Sequence, residues 1–386
     1  MTPQRVVIIG GGPAGLATAR GYRDAGGEGS VTLVAAEPHL PYQRPPLTKE
    51  FLRGELDRTE LELEEASWFA ERSVELRLGT PARAIDREGG KVRLADGQSV
   101  SADACVLATG ARPRRLPVPG ADHEDVFEMR VLADSERLIE RAQSAASAVV
   151  IGSGFIGCEA AASLAMRGLE VTLVTVEAVP QAQRLGPDAG DRIAGWLRQG
   201  GVTLILDAEV EEIINARRVR LADGACLDAD VVLMASGVVP NGELAQSMGL
   251  ELHDGAVPVD ASMRSERPFL SAAGDVAWAR NRTAGRRLRV EHWGDALAQG
   301  EVAGRALAGE EAEWDEVPGF WSTIGSHTLK YAAWGDGFDE DRLIDHGQGA
   351  FTVWYARAGV AVGVLTHERD EDYERGRELI ARGEQL

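Results

Sequence analysis

The sequence predicts an α/β fold with two Rossmann-like dinucleotide-binding domains and a smaller C-terminal α+β domain. Two observations predict the repeated domains: a glycine motif occurs at 6–19 and again at 149–162, and each copy precedes a second strand that ends in an acid. A third observation concerns the chain after residue 316, where alternating apolar stretches such as AFTVWYA and VAVGVLT precede a charged tail. Such alternation is typical of antiparallel strands, and the tail is typical of an amphipathic helix that caps a domain.

Both glycine motifs have the form GxGxxG and lie between an apolar strand and a helix rich in small residues. Glycine lets the backbone approach a pyrophosphate, and the helix N-terminus directs unpaired N–H groups and the positive end of its dipole at that anion. Two copies therefore predict two bound dinucleotides. The glycines concerned are Gly10, Gly12 and Gly15 in the first copy and Gly152, Gly154 and Gly157 in the second.

An acidic residue ends the second strand of each repeat. Glu37 closes VTLVAAE at 31–37, and Glu177 closes VTLVTVE at 171–177. In dinucleotide-binding units an acid about 20 residues beyond the glycines bonds a ribose hydroxyl. A solvated acid at a strand end is the alternative interpretation. The shared order of strand, helix, strand and acid predicts that a βαβ unit occurs twice.

Further strands complete each repeat. Apolar segments at 103–114 and 230–241 end in glycine turns, and each follows a hairpin whose turn reads ADG. The segment 113–126, rich in proline and charge, is interpreted as a linker, and FLSAAGDVAW at 269–278 as a buried strand that ends at Gly-Asp. We predict a discontinuous first domain at 1–115 and 245–316, a second domain at 116–244 and a C-terminal domain at 317–386.

The composition excludes several classes of protein. The chain has 386 residues, of which 44% are hydrophobic and 26% charged, with a net charge of −20. These values fit a globular protein of more than one domain and not a nucleic-acid-binding protein, because a phosphate backbone requires a basic face. No run reaches the roughly 18 apolar residues of a membrane span, and the first strand begins too early for a signal peptide, so we expect a cytoplasmic protein.

The three cysteines, Cys105, Cys158 and Cys226, lie far apart and show no CxxC spacing. We therefore expect neither a disulfide framework nor a metal site. Cys158 lies inside the helix of the second glycine motif, where we expect it to be a small buried apolar residue.

The ordered set GxGxxG, ATG, GxGxxG, GxxP and AxGD resembles the two-dinucleotide-binding flavoproteins, whose glutathione-reductase-like fold holds FAD in the first domain and a nicotinamide cofactor in the second. The segment PYQRPPLTKEFLRG at 41–54 is similar to one in the bacterial FAD-dependent ferredoxin reductases of the putidaredoxin, rubredoxin and biphenyl dioxygenase reductase group. EMRVLADSERL at 128–138, RVEHWGDALAQG at 289–300 and PGFWS at 318–322 match the same group. These segments lie outside the shared nucleotide motifs, so they point to the group specifically.

The resemblance implies cofactor contacts in both repeats. It places Glu37 at the adenosine ribose, Arg44 and Lys49 on the flavin side, Arg130 at the phosphates and Trp293 beside the isoalloxazine. The residues expected at FAD are Gly10, Gly12, Pro13, Ala14, Gly15, Glu37, Arg44, Lys49, Ala82, Thr109, Gly110, Arg130, Gly274, Asp275 and Trp293. Those expected at the nicotinamide cofactor are Gly152, Gly154, Ile156, Gly157, Glu159, Glu177 and Gly237.

The resemblance also implies a catalytic group formed by Lys49, Glu159 and Trp321. In the family the acid pairs with the lysine, and such a pair beside flavin N5 would place positive charge near a developing anion and orient the nicotinamide. Two prolines before Lys49 fix φ and stiffen its loop. Alternatively, Glu159, expected in the first turn of its helix, caps the helix dipole, and Trp321, expected to stack near the nicotinamide, is a core residue.

The positions of cysteine restrict the electron acceptor. Dithiol reductases need a CxxxxC or CxxC pair, and the peroxidase and coenzyme A disulfide group needs one cysteine near PYQRPP; this chain has neither. The main hypothesis is therefore an NAD(P)H:ferredoxin reductase whose FAD passes single electrons to an acidic [2Fe–2S]-type ferredoxin serving a cytochrome P450 or a ring-hydroxylating oxygenase. After FWS the chain departs from the FWSDQYD common in the group. An NADH oxidase or quinone reductase, and a redox-sensing interaction protein resembling apoptosis-inducing factor, are the alternatives.

NADH is the favoured nucleotide, and NADPH stays open as the alternative. The strand end at Thr175 departs from the pattern of many relatives, so the ribose acid is assigned from the alignment of Glu177 with Glu37. An acid there would bond a 2′-hydroxyl and repel a 2′-phosphate, and no arginine lies between Thr175 and Gln183 to receive a phosphate.

A basic segment, RNRTAGRRLRV at 280–290, is the expected docking cluster for the ferredoxin. Without it, the acidity of this chain would slow the approach of an acidic partner. A solvated surface loop is the alternative interpretation. The arginines of the basic segment are Arg280, Arg282, Arg286, Arg287 and Arg289.

The sequence leaves the oligomeric state open between a monomer and a homodimer.

Overall fold

The computed structural model describes residues 2–86 and 90–386. The α-helices are α1 (Pro13–Asp24), α2 (Glu50–Arg53), α3 (Ala66–Glu71), α4 (Leu132–Ala142), α5 (Phe155–Met166), α6 (Ala182–Gln199), α7 (Glu243–Ser247), α8 (Trp293–Ala308) and α9 (Asp370–Arg382). Short 3₁₀ helices cover Pro45–Thr48 and Arg58–Leu61. Helices α1 and α5 each begin directly after the second glycine of a GxGxxG motif, as the sequence predicts.

The first parallel sheet carries the first glycine motif at the end of its central strand. In spatial order its strands are Leu270–Ala272, Ala104–Leu107, Arg5–Ile9, Ser30–Val34 and Val74–Arg77. Ile8 aligns with Leu33 on one side and with Val106 on the other, in parallel register. The central strands are almost wholly buried, which explains their continuous apolar runs.

The second parallel sheet repeats this arrangement around the second glycine motif. In spatial order its strands are Val202–Ile205, Glu170–Val174, Ser147–Ile151, Val231–Met234 and Val126–Phe127. Both glycine loops therefore follow the carboxyl end of a central strand, which is where doubly wound folds bind their ligands. The predicted α/β class with two Rossmann-like domains is confirmed.

Antiparallel strands flank the two parallel sheets. The predicted hairpins are confirmed, and Gly97 and Gly224 in their turns have φ of 85° and 88°, values that glycine adopts without strain. Two short strands, one after each repeat, also pair with each other: Ala111–Pro113 lies antiparallel to Val238–Pro240. The three-stranded meanders are Ala82–Ile85, Lys91–Leu94 and Ser99–Ser101 in the first repeat, and Val210–Ile214, Arg218–Leu221 and Cys226–Asp228 in the second.

The predicted buried strand that ends at Gly-Asp is confirmed as Leu270–Ala272, and the last residues of the segment 269–278 begin another strand. Leu270–Ala272 joins the first parallel sheet, whereas Ala277–Asn281 lies in a separate sheet between Val257–Val259 and Arg286–Arg289. Gly274, with φ of 77°, turns the chain between the two strands. The basic segment forms the expected hairpin, because its two strands pair in antiparallel register.

The C-terminal region is an antiparallel sheet covered by α9. In spatial order its strands are Gly319–Ile324, His327–Ala333, Val360–His367, Ala350–Arg357 and Glu340–Gly347. Ile380 of α9 packs in a buried cluster with Trp354 and Val364 of the sheet. The tail therefore caps the sheet, as predicted.

The division of the chain at residues 115, 244 and 316 stays a prediction. One hydrophobic core combines residues 6–108 with residues 245–314, as a discontinuous first domain requires. A second core runs from Tyr42 to Leu365 and includes buried residues of the second repeat and of the C-terminal sheet. The C-terminal sheet therefore shares its core with the second repeat.

Residues 2–86 and 90–386 contain neither a membrane-spanning helix nor a candidate metal cluster. In this part of the chain no helix has the length and apolar character needed to cross a membrane. The same residues contain no group of three or more His, Cys, Asp and Glu side chains placed to hold a metal ion.

Helices α1 and α8 pack closely because glycine lies where they cross. A Cβ added at Gly300 would overlap the carbonyl oxygen of Ala14, and one at Gly304 would overlap that of Thr18. Both helices begin at the wall of the cleft described below, so this crossing fixes the distance between two of its walls.

We expect Gly300→Ala to lower the free energy of unfolding by about 1–3 kcal/mol, because the methyl group meets backbone that cannot move without separating the helices. Urea unfolding followed by circular dichroism measures this. Gly195→Ala in α6 is the matched control: its Cβ meets nothing within 4 Å, so the helix gains up to about 1 kcal/mol. Equal unfolding midpoints for the two variants would show that the crossing tolerates a side chain.

Candidate active site

A cleft of about 1750 Å³ lies between the two glycine loops and the C-terminal sheet. Pockets for one small molecule usually span about 300–1,000 Å³, so this cleft has room for two dinucleotides. Most of the predicted site residues line it: Gly10, Gly12, Pro13, Ala14, Glu37, Arg44, Lys49, Ala82, Thr109, Gly110, Arg130, Gly152, Gly154, Ile156, Glu159, Glu177, Gly237, Gly274, Asp275, Trp293 and Trp321.

Gly15 and Gly157 do not line the cleft. A Cβ at Gly15 would overlap the carbonyl oxygen of Gly10, and one at Gly157 would overlap that of Gly152. The third glycine of each motif therefore lets the helix pack against its own loop, and its expected contact with a pyrophosphate stays a prediction.

Gly12 and Gly154 are the positions of closest approach for a ligand. Each is the N-cap of its helix, and a Cβ added at either would meet no atom within 4 Å. No side chain caps either helix, so the N–H groups of the first turn are directed at the cleft without a protein partner. Both loops fit a dinucleotide pyrophosphate for this reason.

Lys49 and Glu159 form a buried ion pair in the cleft wall. The Lys49 Nζ lies 2.7 Å from Glu159 Oε2, and each side chain is only 6% exposed. Thr48 Oγ1 donates to the same oxygen over 2.5 Å, and Ser322 Oγ donates to Glu159 Oε1 over 2.7 Å. Burial of a charge is unfavourable unless a partner and hydrogen bonds replace water, and these three donors do so.

Three distant segments meet at Glu159. Glu159 itself lies in the second turn of α5, one turn later than predicted. Lys49 follows a 3₁₀ helix that is joined to α5, because Ser163 Oγ donates to the carbonyl oxygen of Thr48 over 2.7 Å. Ser322 comes from the first strand of the C-terminal sheet. The carboxylate therefore links both repeats to the C-terminal region.

An aromatic wall lies in the same cleft. Phe155 and Phe320 meet edge to face with ring centroids 4.6 Å apart, and His292 lies 4.4 Å from Phe320. Burial raises the pKa of Tyr331, which contacts Phe320, to about 12. Trp321, which we expected to stack near the nicotinamide, lines the cleft but is 46% exposed. Phe320, its neighbour on the strand, is half-buried and packs in the aromatic wall instead.

Glu37 and Arg44 pair at the other end of the first loop. Arg44 Nη2 lies 2.9 Å from Glu37 Oε1, and the Tyr42 hydroxyl donates to Glu37 Oε2 over 2.6 Å. Burial raises the pKa of Tyr42, so the phenol keeps its proton. Arg44 Nη1 also donates to the carbonyl oxygen of Arg130 over 2.8 Å, so Arg44 lies between Glu37 and Arg130. Its expected place on the flavin side stays a prediction.

Arg130 presents an unused donor to the cleft. Its Nη2 donates to Asp275 Oδ2 over 2.6 Å, while its Nε is buried and has no hydrogen-bond partner in the described part of the chain. A buried N–H without a partner is unfavourable, so this group fits a ligand phosphate. Nearby, loss of water raises the pKa of the Glu291 carboxyl, Arg289 opposes that rise, and Asp275 adds to it.

The second loop holds Glu177 beside Gly154. Glu177 Oε1 accepts from the backbone N–H of Gln183 over 2.9 Å. Arg184 follows Gln183 directly, and its guanidinium lies 5.9 Å from the Phe155 ring centroid. Arg184 therefore lies against the aromatic wall.

The arginines of the basic hairpin are mostly engaged within the chain. Arg286 pairs with Asp336, Arg282 lies 3.2 Å from Glu313, and the Arg287 guanidinium lies 5.3 Å from the Trp278 ring centroid. Arg280 is exposed, and no ion pair involving it is found among residues 2–86 and 90–386. Arg289 lines the cleft, so the hairpin begins at the cleft rim.

Sequence reasoning missed Thr48, Ser322, Phe155, Phe320 and Arg184. The signal available for Thr48 and Ser322 was their position inside RPPLTK and PGFWS, segments already matched to a family. Phe155 stands directly after Gly154, where a side chain at the start of a dinucleotide-binding helix faces the ligand. Phe320 lies inside PGFWS as well, and no local pattern identifies Arg184.

We expect Lys49→Met to lower the free energy of unfolding by about 3–5 kcal/mol, because Glu159 would remain buried without its cation. The double variant Lys49→Met, Glu159→Gln should regain much of that loss, since no charge is then left unpaired. Urea unfolding of the parent, the single variant and the double variant in parallel measures how strongly the two charges are coupled. Arg218→Met, which breaks an exposed pair with Asp228, is the control and should leave the midpoint unchanged. Equal losses in the single and double variants would contradict a coupled pair.

Comparisons with known proteins agree with this geometry. The family described as pyridine nucleotide-disulphide oxidoreductase matches residues 4–300. Rhodocoxin reductase of Rhodococcus erythropolis is 35% identical over 97% of this chain and 89% of its own length. Apoptosis-inducing factor 3 of Mus musculus is 31% identical over 98% of this chain, which spans 63% of that protein. The crystal structure of the ferredoxin reductase for the CYP199A2 system from Rhodopseudomonas palustris has a TM-score of 0.94 and 33% identity, covering 99% of this chain and 96% of that one.

Proposed function

The chain belongs to the pyridine nucleotide-disulphide oxidoreductase family and within it to the FAD-dependent ferredoxin reductases, and we propose that it oxidises NADH and passes single electrons to a ferredoxin. The resemblance stated from the sequence is thereby confirmed, and with it the use of FAD and NAD(P)H. The proposed acceptor is an acidic [2Fe–2S]-type ferredoxin that serves a cytochrome P450 or a ring-hydroxylating oxygenase.

The buried pair of Lys49 and Glu159 is the observation that carries this proposal. Its members are separated by 110 residues of sequence and meet between the two glycine loops. A reaction between two dinucleotides needs a fixed charge at the point where they meet, and this pair supplies one in a site shielded from water.

Bound FAD would supply a ring system that accepts a hydride and releases electrons one at a time. The two glycine loops hold the pyrophosphates through helix N-termini. The Lys49 ammonium stabilises negative charge that develops beside it, and Glu159 keeps that ammonium in one orientation. Phe155 and Phe320 exclude water from the same wall.

The proposed acceptor is external because the cleft offers no thiol. Among the described residues that line it there is no cysteine. Cys105 is fully buried in the first parallel sheet and Cys158 is fully buried in α5, and burial raises the pKa of both thiols. A relay through a protein disulfide therefore has no participants, and electrons leave to a separate molecule.

The basic hairpin is the proposed docking surface for the ferredoxin. It begins at the cleft rim with Arg289, and Arg280 and Arg287 are exposed along it. Internal ion pairs reduce the free charge of the other arginines, so we assign the main attraction to Arg280 and Arg287. We also propose the cytoplasm, where NADH is available, as the location, with a monomer or homodimer as the working form.

NADH is the proposed nucleotide because Glu177 faces the second loop. A carboxylate beside the adenosine ribose accepts from a 2′-hydroxyl and repels a 2′-phosphate. Comparison of kcat/KM for NADH and NADPH tests this choice.

Anaerobic stopped flow tests the function directly. FAD-loaded protein reduced with one equivalent of NADH should be reoxidised by a small [2Fe–2S] ferredoxin, and the ferredoxin should be reduced at the same rate. Ferricyanide is the control acceptor, because it needs no docking. Reduction of ferricyanide without reduction of any ferredoxin in a panel would refute the assignment of the acceptor.

We expect Arg280→Glu combined with Arg287→Glu to lower the association rate with ferredoxin roughly tenfold at low ionic strength and to weaken its salt dependence. Ferricyanide reduction should not change. Arg218→Glu, on a meander of the second repeat, is the matched control for added negative charge. An association rate equal to that of the parent would remove the hairpin from the docking surface.

A redox-sensing interaction protein is the second candidate, favoured by the 31% identity to apoptosis-inducing factor 3. In that case NADH would change the state of assembly and electron transfer would be slow. Size-exclusion chromatography with light scattering, with and without NADH under anaerobic conditions, separates the two. An unchanged mass together with fast ferredoxin reduction favours the reductase.

A further inference from the structure

Two hydroxyl groups beside the second glycine loop form a closed ring of hydrogen bonds with Glu177. Ser153 Oγ lies 2.9 Å from Glu177 Oε2 and 2.8 Å from Thr175 Oγ1. The backbone N–H of Glu177 lies 3.2 Å from the same Thr175 oxygen. Ser153 and Thr175 are only 2% and 5% exposed, so water does not compete for these bonds.

The direction of each bond follows from the groups at its ends. The Glu177 N–H can only donate, so Thr175 Oγ1 accepts from it. The Glu177 carboxylate can only accept, so the Ser153 hydroxyl donates to it. The Thr175 hydroxyl must then donate to Ser153. Bonds aligned head to tail polarise one another, and the ring holds the carboxylate in one orientation relative to its own backbone.

The other donors to Glu177 come from the chain that leads into α6. The backbone N–H groups of Gln181 and Gln183 donate to its two oxygens over 3.2 Å and 2.9 Å. Gln181 is 5% exposed and lines the cleft, and its side-chain Nε2 has no hydrogen-bond partner within the described residues. The carboxylate is therefore a fixed acceptor at the cleft wall, suited to a ribose hydroxyl, and the unpaired Gln181 amide is buried close to it in the chain.

The first repeat lacks this ring. In the alignment of the two motifs Gly11 stands for Ser153 and Ala35 stands for Thr175. A Cβ at Gly11 would lie 2.7 Å from the Ala35 Cβ, so even alanine is too large there. Glu37 is held instead by Tyr42 and Arg44. The ring is therefore a property of the second loop and not of the βαβ unit.

We propose that Ser153 and Thr175 are positioning residues that make this protein select NADH over NADPH. They fix Glu177 where it accepts from a ribose 2′-hydroxyl, and they prevent it from turning away when a 2′-phosphate approaches. A carboxylate without the ring rotates more freely and discriminates less. The inference rests on the proposed function, because that function assigns the second loop to the nicotinamide cofactor.

The test compares Ser153→Ala and Thr175→Val with the parent as FAD-loaded proteins. We expect each variant to raise the KM for NADH about tenfold, equivalent to about 1.4 kcal/mol, with the kcat for ferricyanide reduction unchanged within twofold. The ratio of kcat/KM for NADH over NADPH should fall by a similar factor. Isothermal titration calorimetry with NAD⁺ and NADP⁺ should show the same change in the ratio of dissociation constants without any turnover.

Thr175→Ser restores the hydroxyl and should return both ratios to within twofold of the parent. Thr172→Val, on the same strand and outside the ring, is the matched control for loss of a threonine hydroxyl. If Thr175→Val fails to fold, Ser153→Ala carries the test alone. Unchanged ratios in Ser153→Ala, or no recovery in Thr175→Ser, would overturn the inference. A parent that never reduces ferredoxin would refute the proposed function and leave these nucleotide ratios interpretable.

Discussion

The buried contact between Lys49 and Glu159 is the interaction on which the arrangement of the cleft depends. Both side chains are almost fully buried, so each charge would be poorly solvated without the other. The loop that carries Lys49 must therefore lie against α5. The carboxylate also needs the hydroxyls of Thr48 and Ser322, and Ser322 belongs to the C-terminal sheet. The polar requirements of one carboxylate thus bring the three parts of the chain together at the point where two dinucleotides would meet.

The two repeats share the backbone conformation of the glycine loop, but different side chains hold the acid at the end of the second strand. In both copies the first glycine has a left-handed φ, and the third glycine packs under the first, which leaves the second open to a ligand. Around Glu37 the support is a guanidinium and a phenol. Around Glu177 it is a ring of small hydroxyls. The loops therefore share a backbone arrangement that suits a pyrophosphate and differ in how they fix the acid that we propose contacts the ribose.

The features that could be predicted from the sequence are those determined by neighbouring residues. The glycine loops, the hairpin turns at Gly97 and Gly224 and the capping helix α9 each follow from a local pattern. The contact between Ser322 and Glu159 spans 163 residues, and the α1–α8 crossing depends on which helices meet. Periodicity carries no information on such pairs. The pairing of Arg44 with Glu37 was not predicted for the same reason, since the position of Arg44 in the sequence does not determine which acid it meets.

The central claim is that the Lys49 charge acts on the reaction and does more than support the fold. Anaerobic stopped flow of flavin bleaching after mixing with NADH tests it, using FAD-loaded parent, Lys49→Arg and Lys49→Met proteins. We expect Lys49→Met to bleach about 100-fold more slowly at saturating NADH, Lys49→Arg to keep part of the rate, and NAD⁺ affinity to change little. Bleaching by Lys49→Met at the parent rate would show that the Lys49 charge does not act on the reaction.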